Sequence, residues 1–145
     1  ARPGERTRPL ELFARRFIPR HLNLTPHKTK ENKTMPRVAI TPVTPSRAGV
    51  TAAVAVAGSV ADGNTIANDG KTFLLATNTN GSATARTIDF VVKRTVDGIT
   101  PDKAAVSIAA GATKAFGPFP TNDYGVSLDF NVEHAEVTVA AYRMP

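Results

Sequence analysis

With 145 residues, the chain has room for one domain and a tail. It has no Cys, which excludes disulfides and thiolate metal sites. It has no Trp, and its apolar set is dominated by Ala and Val, a composition suited to thin packed sheets. The net charge of +6 divides unevenly. Residues 1–37 carry ten Lys or Arg against three Glu (+7), and residues 38–145 carry eight against nine acidic residues (−1). The basic character therefore belongs to an N-terminal arm, and the near-neutral remainder argues against a nucleic-acid-binding face there.

Residues 1–37 read as that arm. Pro9 to Ile18 has the pattern of a short amphipathic helix, with proline at its first position, Pro19 closing it, and Leu10, Phe13 and Phe17 on one face. So short a helix is marginal in water and needs a partner surface to persist. The arm reads either as a docking element or as a solvated tail. Met35-Pro36-Arg37 also resembles a start, which would make residues 1–34 an upstream region. Residues 38–48 form a proline-punctuated linker, extended by its own stereochemistry.

From Gly49 the grammar changes to that of a β-sheet. Gly49 to Ala61 is an uncharged Ala/Val run before Asp62, read as a buried first strand. The alternative is the apolar core of a signal peptide starting at Met35. At thirteen residues it is too short to span a bilayer. The clearest hairpin follows: Asn68-Asp69-Gly70 turns into Thr72–Thr77, and Asn78-Thr79-Asn80-Gly81 turns into Thr87–Val92. Ala104–Ala109 is a short strand with Val106 and Ile108 inward. Lys114–Phe119 is an edge strand, because Pro118 cannot donate to a ladder. Thr121–Gly125 is a loop. Val126, Leu128, Phe130 and Val132 then alternate with polar residues, and Glu136–Tyr142 places Val137, Val139 and Ala141 on one face. These seven strands predict an all-β antiparallel sandwich over residues 49–145, immunoglobulin-like or jelly-roll in connectivity, with no helix required. On this facing Phe130 is core. Asp129 is on the wet side, where its replacement by Ala should stay within about 0.5 kcal/mol.

Chemistry is sparse. His21, His27 and His134 have no metal-ligand spacing, and Ser59 has no base to activate it. Asp62-Gly63-Asn64 and Asn68-Asp69-Gly70 carry hard oxygens, but they read as turns rather than a calcium loop, and no helix follows Lys71 to make a phosphate loop. The residues give no catalytic, metal or cofactor site. A recognition module would use its end loops, with Asn80 and Tyr124 as the candidate carbohydrate- or protein-binding residues.

Three stretches carry a family resemblance: Asn68-Asp69-Gly70-Lys71-Thr72-Phe73-Leu74, Gly117-Pro118-Phe119-Pro120, and Val137-Thr138-Val139-Ala140-Ala141-Tyr142-Arg143. Over residues 38–145 the sequence resembles small β-sandwich virion proteins of tailed bacteriophages, especially those of actinobacterial hosts. The resemblance implies a non-enzymatic capsid decoration, or cement, protein on the outer capsid surface of the virion. Its partner would be the major capsid protein, with self-association into a trimer or other oligomer on the shell as a further option. Neither a cofactor, a membrane nor a specific nucleic acid is implied. The arm, which the resemblance does not cover, would then lie across neighbouring subunits. Phe13 and Phe17 would fill apolar grooves beside Leu10, while Arg15, Arg16 and Arg20 pair with acidic surface. A tail or head–tail connector location stays open beside it.

Overall fold

The computed structural model describes residues 36–145. Its strands are β1 (Val38–Ile40), β2 (Val56–Ala57), β3 (Asn64–Ala67), β4 (Thr72–Asn78), β5 (Arg86–Phe90), β6 (Val106–Ile108), β7 (Thr113–Phe116), β8 (Ser127–Val132) and β9 (Val137–Arg143). One four-residue helix, α1 (Thr121–Tyr124), precedes β8. The strands form a five-stranded sheet, β1-β3-β8-β5-β6, and a four-stranded sheet, β2-β9-β4-β7. All ladders are antiparallel except that of β1 on β3.

The connectivity has one simple rule. β2 pairs with β9, β3 with β8, β4 with β7, and β5 with β6. The chain is a long hairpin, β2–β5 running against β6–β9, rolled so that successive strands alternate between the sheets except at its β5–β6 tip. That is a jelly roll, with β1 added outside β3.

Period-two patterning explains which side chains meet inside. β4 alternates buried and half-buried along its whole length, and Leu128, Phe130 and Val132 of β8 are buried where the polar residues between them are not. Ile66, Ile88, Phe90 and Ile108 from the five-stranded sheet pack with Leu74, Ala76, Val137, Val139 and Ala141 from the other in one core. Phe90 is the aromatic centre, with ring centroids 5.1 Å from Phe116, 5.0 Å from Phe119 and 6.1 Å from Phe130.

Three buried asparagines satisfy the backbone where the chain leaves its strands. Asn68 Nδ2 donates to the carbonyls of Phe119 (3.0 Å) and Gly125 (2.9 Å), and Asn78 Nδ2 donates to those of Thr84 (3.0 Å) and Ile108 (2.9 Å). Asn64 Oδ1 accepts from the Ser59 N–H at 3.0 Å. At Gly58, which lies against the Val132 side chain, there is no room for a Cβ.

Several expectations are corrected. β4 and β5 are not a hairpin: they lie in opposite sheets, and residues 79–85 cross between them, tied down by Asn78. Gly49 to Ala61 is not a buried strand. Only Val56–Ala57 pairs, and most of the run is exposed. The residues 38–48 linker contains β1, and Val43 continues beyond it to bridge Tyr142. Asn64, read as part of the Asp62-Gly63-Asn64 turn, instead opens the strand β3 between β1 and β8. Val126 is 81% exposed and outside β8, and the loop after Pro120 contains α1.

Phe130 has no exposed surface. Phe130→Ala should cost about 3–5 kcal/mol in a denaturant titration, as a core truncation. Asn78→Ala, which orphans the buried Ile108 carbonyl and removes the donor to that of Thr84, should cost at least about 2 kcal/mol. Near-wild-type stability of either variant would contradict this account of the core.

Candidate docking surface

The two outward faces of the sandwich differ in kind. On the five-stranded sheet the face is polar and its centre is internally paired. Asp129 of β8 sits at its centre, 3.0 Å from Lys93 Nζ and 3.8 Å from Arg37 Nε, and accepts a 2.7 Å hydrogen bond from Thr65 Oγ1. Arg37 also donates to the Phe130 carbonyl (3.1 Å) and to Asn131 Oδ1 (2.9 Å), and Lys93 donates to Ser127 Oγ at 2.8 Å. Nearby, Thr87 Oγ1 donates to the Glu133 carboxylate at 3.0 Å. Arg37 therefore belongs to the folded domain, and the arm boundary moves upstream of it.

The outward positions of the four-stranded sheet carry no charge. They are Phe73, Leu75 and Thr77 on β4, Thr138, Ala140 and Tyr142 on β9, Thr113 and Ala115 on β7, and Ala57 on β2, assigned by the strand registers and by the burial of the alternate residues. Phe73 and Tyr142, directly opposite in the ladder, stack with centroids 5.4 Å apart and planes 16° apart. Beside them a groove of about 430 Å³ is lined by Phe73, Ala115, Phe116, Gly117, Pro118 and Met144, with Lys71 at its rim. Gly117 shapes this groove: it takes φ +126°, and a Cβ there would lie 2.8 Å from Phe73 Cβ. Arg143 closes one end of the sheet, its Nε 3.1 Å from Asp69 Oδ2.

The arm residues Leu10, Phe13, Arg15, Arg16, Phe17 and Arg20 lie outside the described residues. Asn80 and Tyr124 are not brought together. Asn80 follows the end of β4, whereas Tyr124 adjoins the carbonyls that Asn68 binds before the start of β4. Both are engaged within the chain. Asn80 Nδ2 donates to Glu136 Oε2 at 2.9 Å. The Tyr124 ring packs edge-on against Phe119 at 5.1 Å, with Lys103 Nζ 3.2 Å from its hydroxyl. Lys103 Nζ also lies 5.7 Å from the centroid of that ring.

Glu136 gathers the far end of the molecule. It accepts from Asn80 and from Arg86 Nε at 2.8 Å, and these two hydrogen bonds hold its carboxyl below the ordinary range. His134 Nδ1 lies 3.2 Å from the same carboxylate. Among the described residues no group of three or more His, Cys, Asp or Glu is placed to hold a metal ion. Compared with known proteins, the chain matches no family model, no curated protein and no solved structure.

The charge-free face was missed in the sequence, although a signal for it exists. Phe73-Leu74-Leu75 and Val139-Ala140-Ala141-Tyr142 are apolar at consecutive positions, which in a strand means apolar residues on both faces. β8, by contrast, alternates strictly.

Asp129 overturns its expected neutrality to substitution, because its side chain is only 18% exposed and pairs with three groups. Burial acts to raise its pKa. The hydrogen bonds from Thr65 and Lys93 and the charges of Lys93 and Arg37 outweigh that and hold the carboxyl below its usual range. A carboxyl depressed by folding stabilises fully above the ordinary carboxylate range and loses that contribution as pH falls below it. Asp129→Ala should cost about 1–2 kcal/mol at neutral pH. Asp129→Asn should flatten the acid limb of the stability–pH curve. Asp129→Ala stability equal to wild type would contradict the assigned network.

Proposed function

We propose that the protein is a non-enzymatic structural component of a tailed-phage virion, a capsid decoration protein that binds the outer shell and stabilises contacts between capsomers. The observation that carries the reading is the asymmetry of the sandwich. One outward face pairs the charge of Asp129 internally with Lys93 and Arg37, and the other presents an uncharged, largely apolar sheet. A sheet face without charge is adapted to lie against another protein, since no ion has to be desolvated as it is covered. A protein of this kind attaches in many copies, so modest interfaces sum over one shell. The jelly roll is compatible with this reading, as an architecture found in viral capsid and lectin domains, though fold alone assigns no task.

The major capsid protein is the partner in this reading, and the basic arm reaches onto neighbouring subunits. Recognition of carbohydrate or protein through the end loops has less support, because Asn80 and Tyr124 are occupied by contacts within the chain.

The test is attachment to shells prepared without the protein. Leu75→Glu places a charge on the uncharged face at a half-buried outward site. It should lower retention at least about tenfold, the equivalent of about 1.4 kcal/mol. Asp89→Asn, on the opposite face, should bind as wild type. Removal of residues 1–35 should weaken attachment while leaving Arg37 in place. Undiminished binding of Leu75→Glu would sink the assignment of the face.

A further inference from the structure

Residues 50–55, Val-Thr-Ala-Ala-Val-Ala, lead into β2 at the edge of the four-stranded sheet. They contain no charge, no Gly and no Pro, and are built from residues that fit a pleated strand. Among the described residues none of their backbone N–H or C=O groups makes a backbone hydrogen bond. Their side chains are also uncovered: Val50 is 48% exposed, Val54 79% and the adjoining Val56 43%. A strand-like apolar segment left unpaired is a template for pairing with another chain.

The segment has no vacant place beside its own β9. That edge is occupied by Val56 and Ala57, by the Gly58 N–H on the Val137 carbonyl, and by Val43, which bonds both the Ala141 carbonyl and the Arg143 N–H. The opposite edge of the same sheet is open. β7 pairs only with β4. The Asn78 N–H donates to the Ala112 carbonyl, so by the alternation of an antiparallel ladder the N–H and C=O groups of Thr113 and Ala115 point away from β4. Lys114, the residue that could blunt this edge, is turned aside, its Nζ donating to the Ser107 carbonyl at 2.8 Å. The apolar groove of Phe73, Ala115, Phe116, Pro118 and Met144 runs alongside.

We propose that residues 50–55 of one copy add as a strand to the β7 edge of a second copy, with valine side chains entering the groove beside β7. The donor segment carries no charge and the acceptor edge only Lys114, whose Nζ is engaged on the Ser107 carbonyl, and neither copy gives up a ladder it already has. They lie at opposite edges of one sheet, so the contact is head-to-tail and continues from copy to copy, closing into a ring or extending as a chain. The inference does not rest on the virion reading and would hold for the isolated protein.

The full chain supplies the test. Having no Cys, it accepts single reporters at two exposed positions, Ala52→Cys and Ala115→Cys. Mixed under mild oxidation, the two variants should yield the mixed disulfide in clear excess over either homodimer. Wild type should sediment above the 15.3 kDa of a monomer. Val54→Pro, which removes a strand donor from an unpaired segment, should return it to monomer mass with its thermal midpoint kept. The proposal is overturned by a monomeric wild type or by a random mixture of disulfides. Preferential Ala52→Cys homodimers would overturn it in favour of two-fold self-pairing. Association that survives Val54→Pro but is lost on removing residues 1–35 would assign the contact to the arm instead.

Discussion

The sandwich depends on how β4 is held at its two ends. This strand is the only one in its sheet with seven paired residues on one side and four on the other. At its start and finish the chain must leave the ladder and cross over the core, where unpaired carbonyls are costly. Asn68 and Asn78 meet that requirement with side-chain amides, each donating to two carbonyls, all from segments distant in sequence except that of Thr84. The loop before β8 and the β5 and β6 crossings are thereby fixed to the strand that carries the apolar outer face.

From that constraint the division of labour between the faces follows. The inner faces bury Ile, Leu, Val and Phe, and supply the driving force for folding. The outward face of the five-stranded sheet spends its charges on one another around Asp129, so little of that charge is left to recruit a partner. The four-stranded sheet needs no such network, because its outward positions are apolar or hydroxylic. Its lack of charge keeps the desolvation cost of covering it small. One edge of the same sheet ends in an unpaired segment, the other in an open strand. The interaction chemistry of the described domain is concentrated on this sheet.

Much of the fold was legible in the sequence where alternation was strict. β8 and β9 announce themselves through Leu128, Phe130, Val132 and Val137, Val139, Ala141; β7 is an edge strand as expected, but it ends at Phe116, before the Pro118 on which that expectation rests. The pairing of strands was not legible. Turn signals at Asn78 to Gly81 describe a local bend equally well for a hairpin and for a crossing between sheets, and only the buried amide of Asn78 decides between them. β3 was missed because Asn64 and Asn68 look like turn residues, whereas here they are buried clamps at either end of a strand. Gly49 to Ala61 misled in the other direction: an apolar run reads as core, but its own sheet edge is taken by Val43 and β2. The outer apolar face was present as consecutive apolar residues in β4 and β9, and was masked by reading each strand for one buried side only.

The most direct measurement of the central claim is oxidative footprinting of material from the native source, compared with the free protein. Tyr142 lies on the uncharged face outside the groove beside β7, and in the proposed attachment it is covered while the five-stranded face stays open to solvent. Protection of Tyr142 in the assembled state beyond that in the free protein, with Glu133 and Asn131 unchanged, is the expected result. Equal labelling of Tyr142 in both states, or protection confined to the Asp129 face, would contradict it.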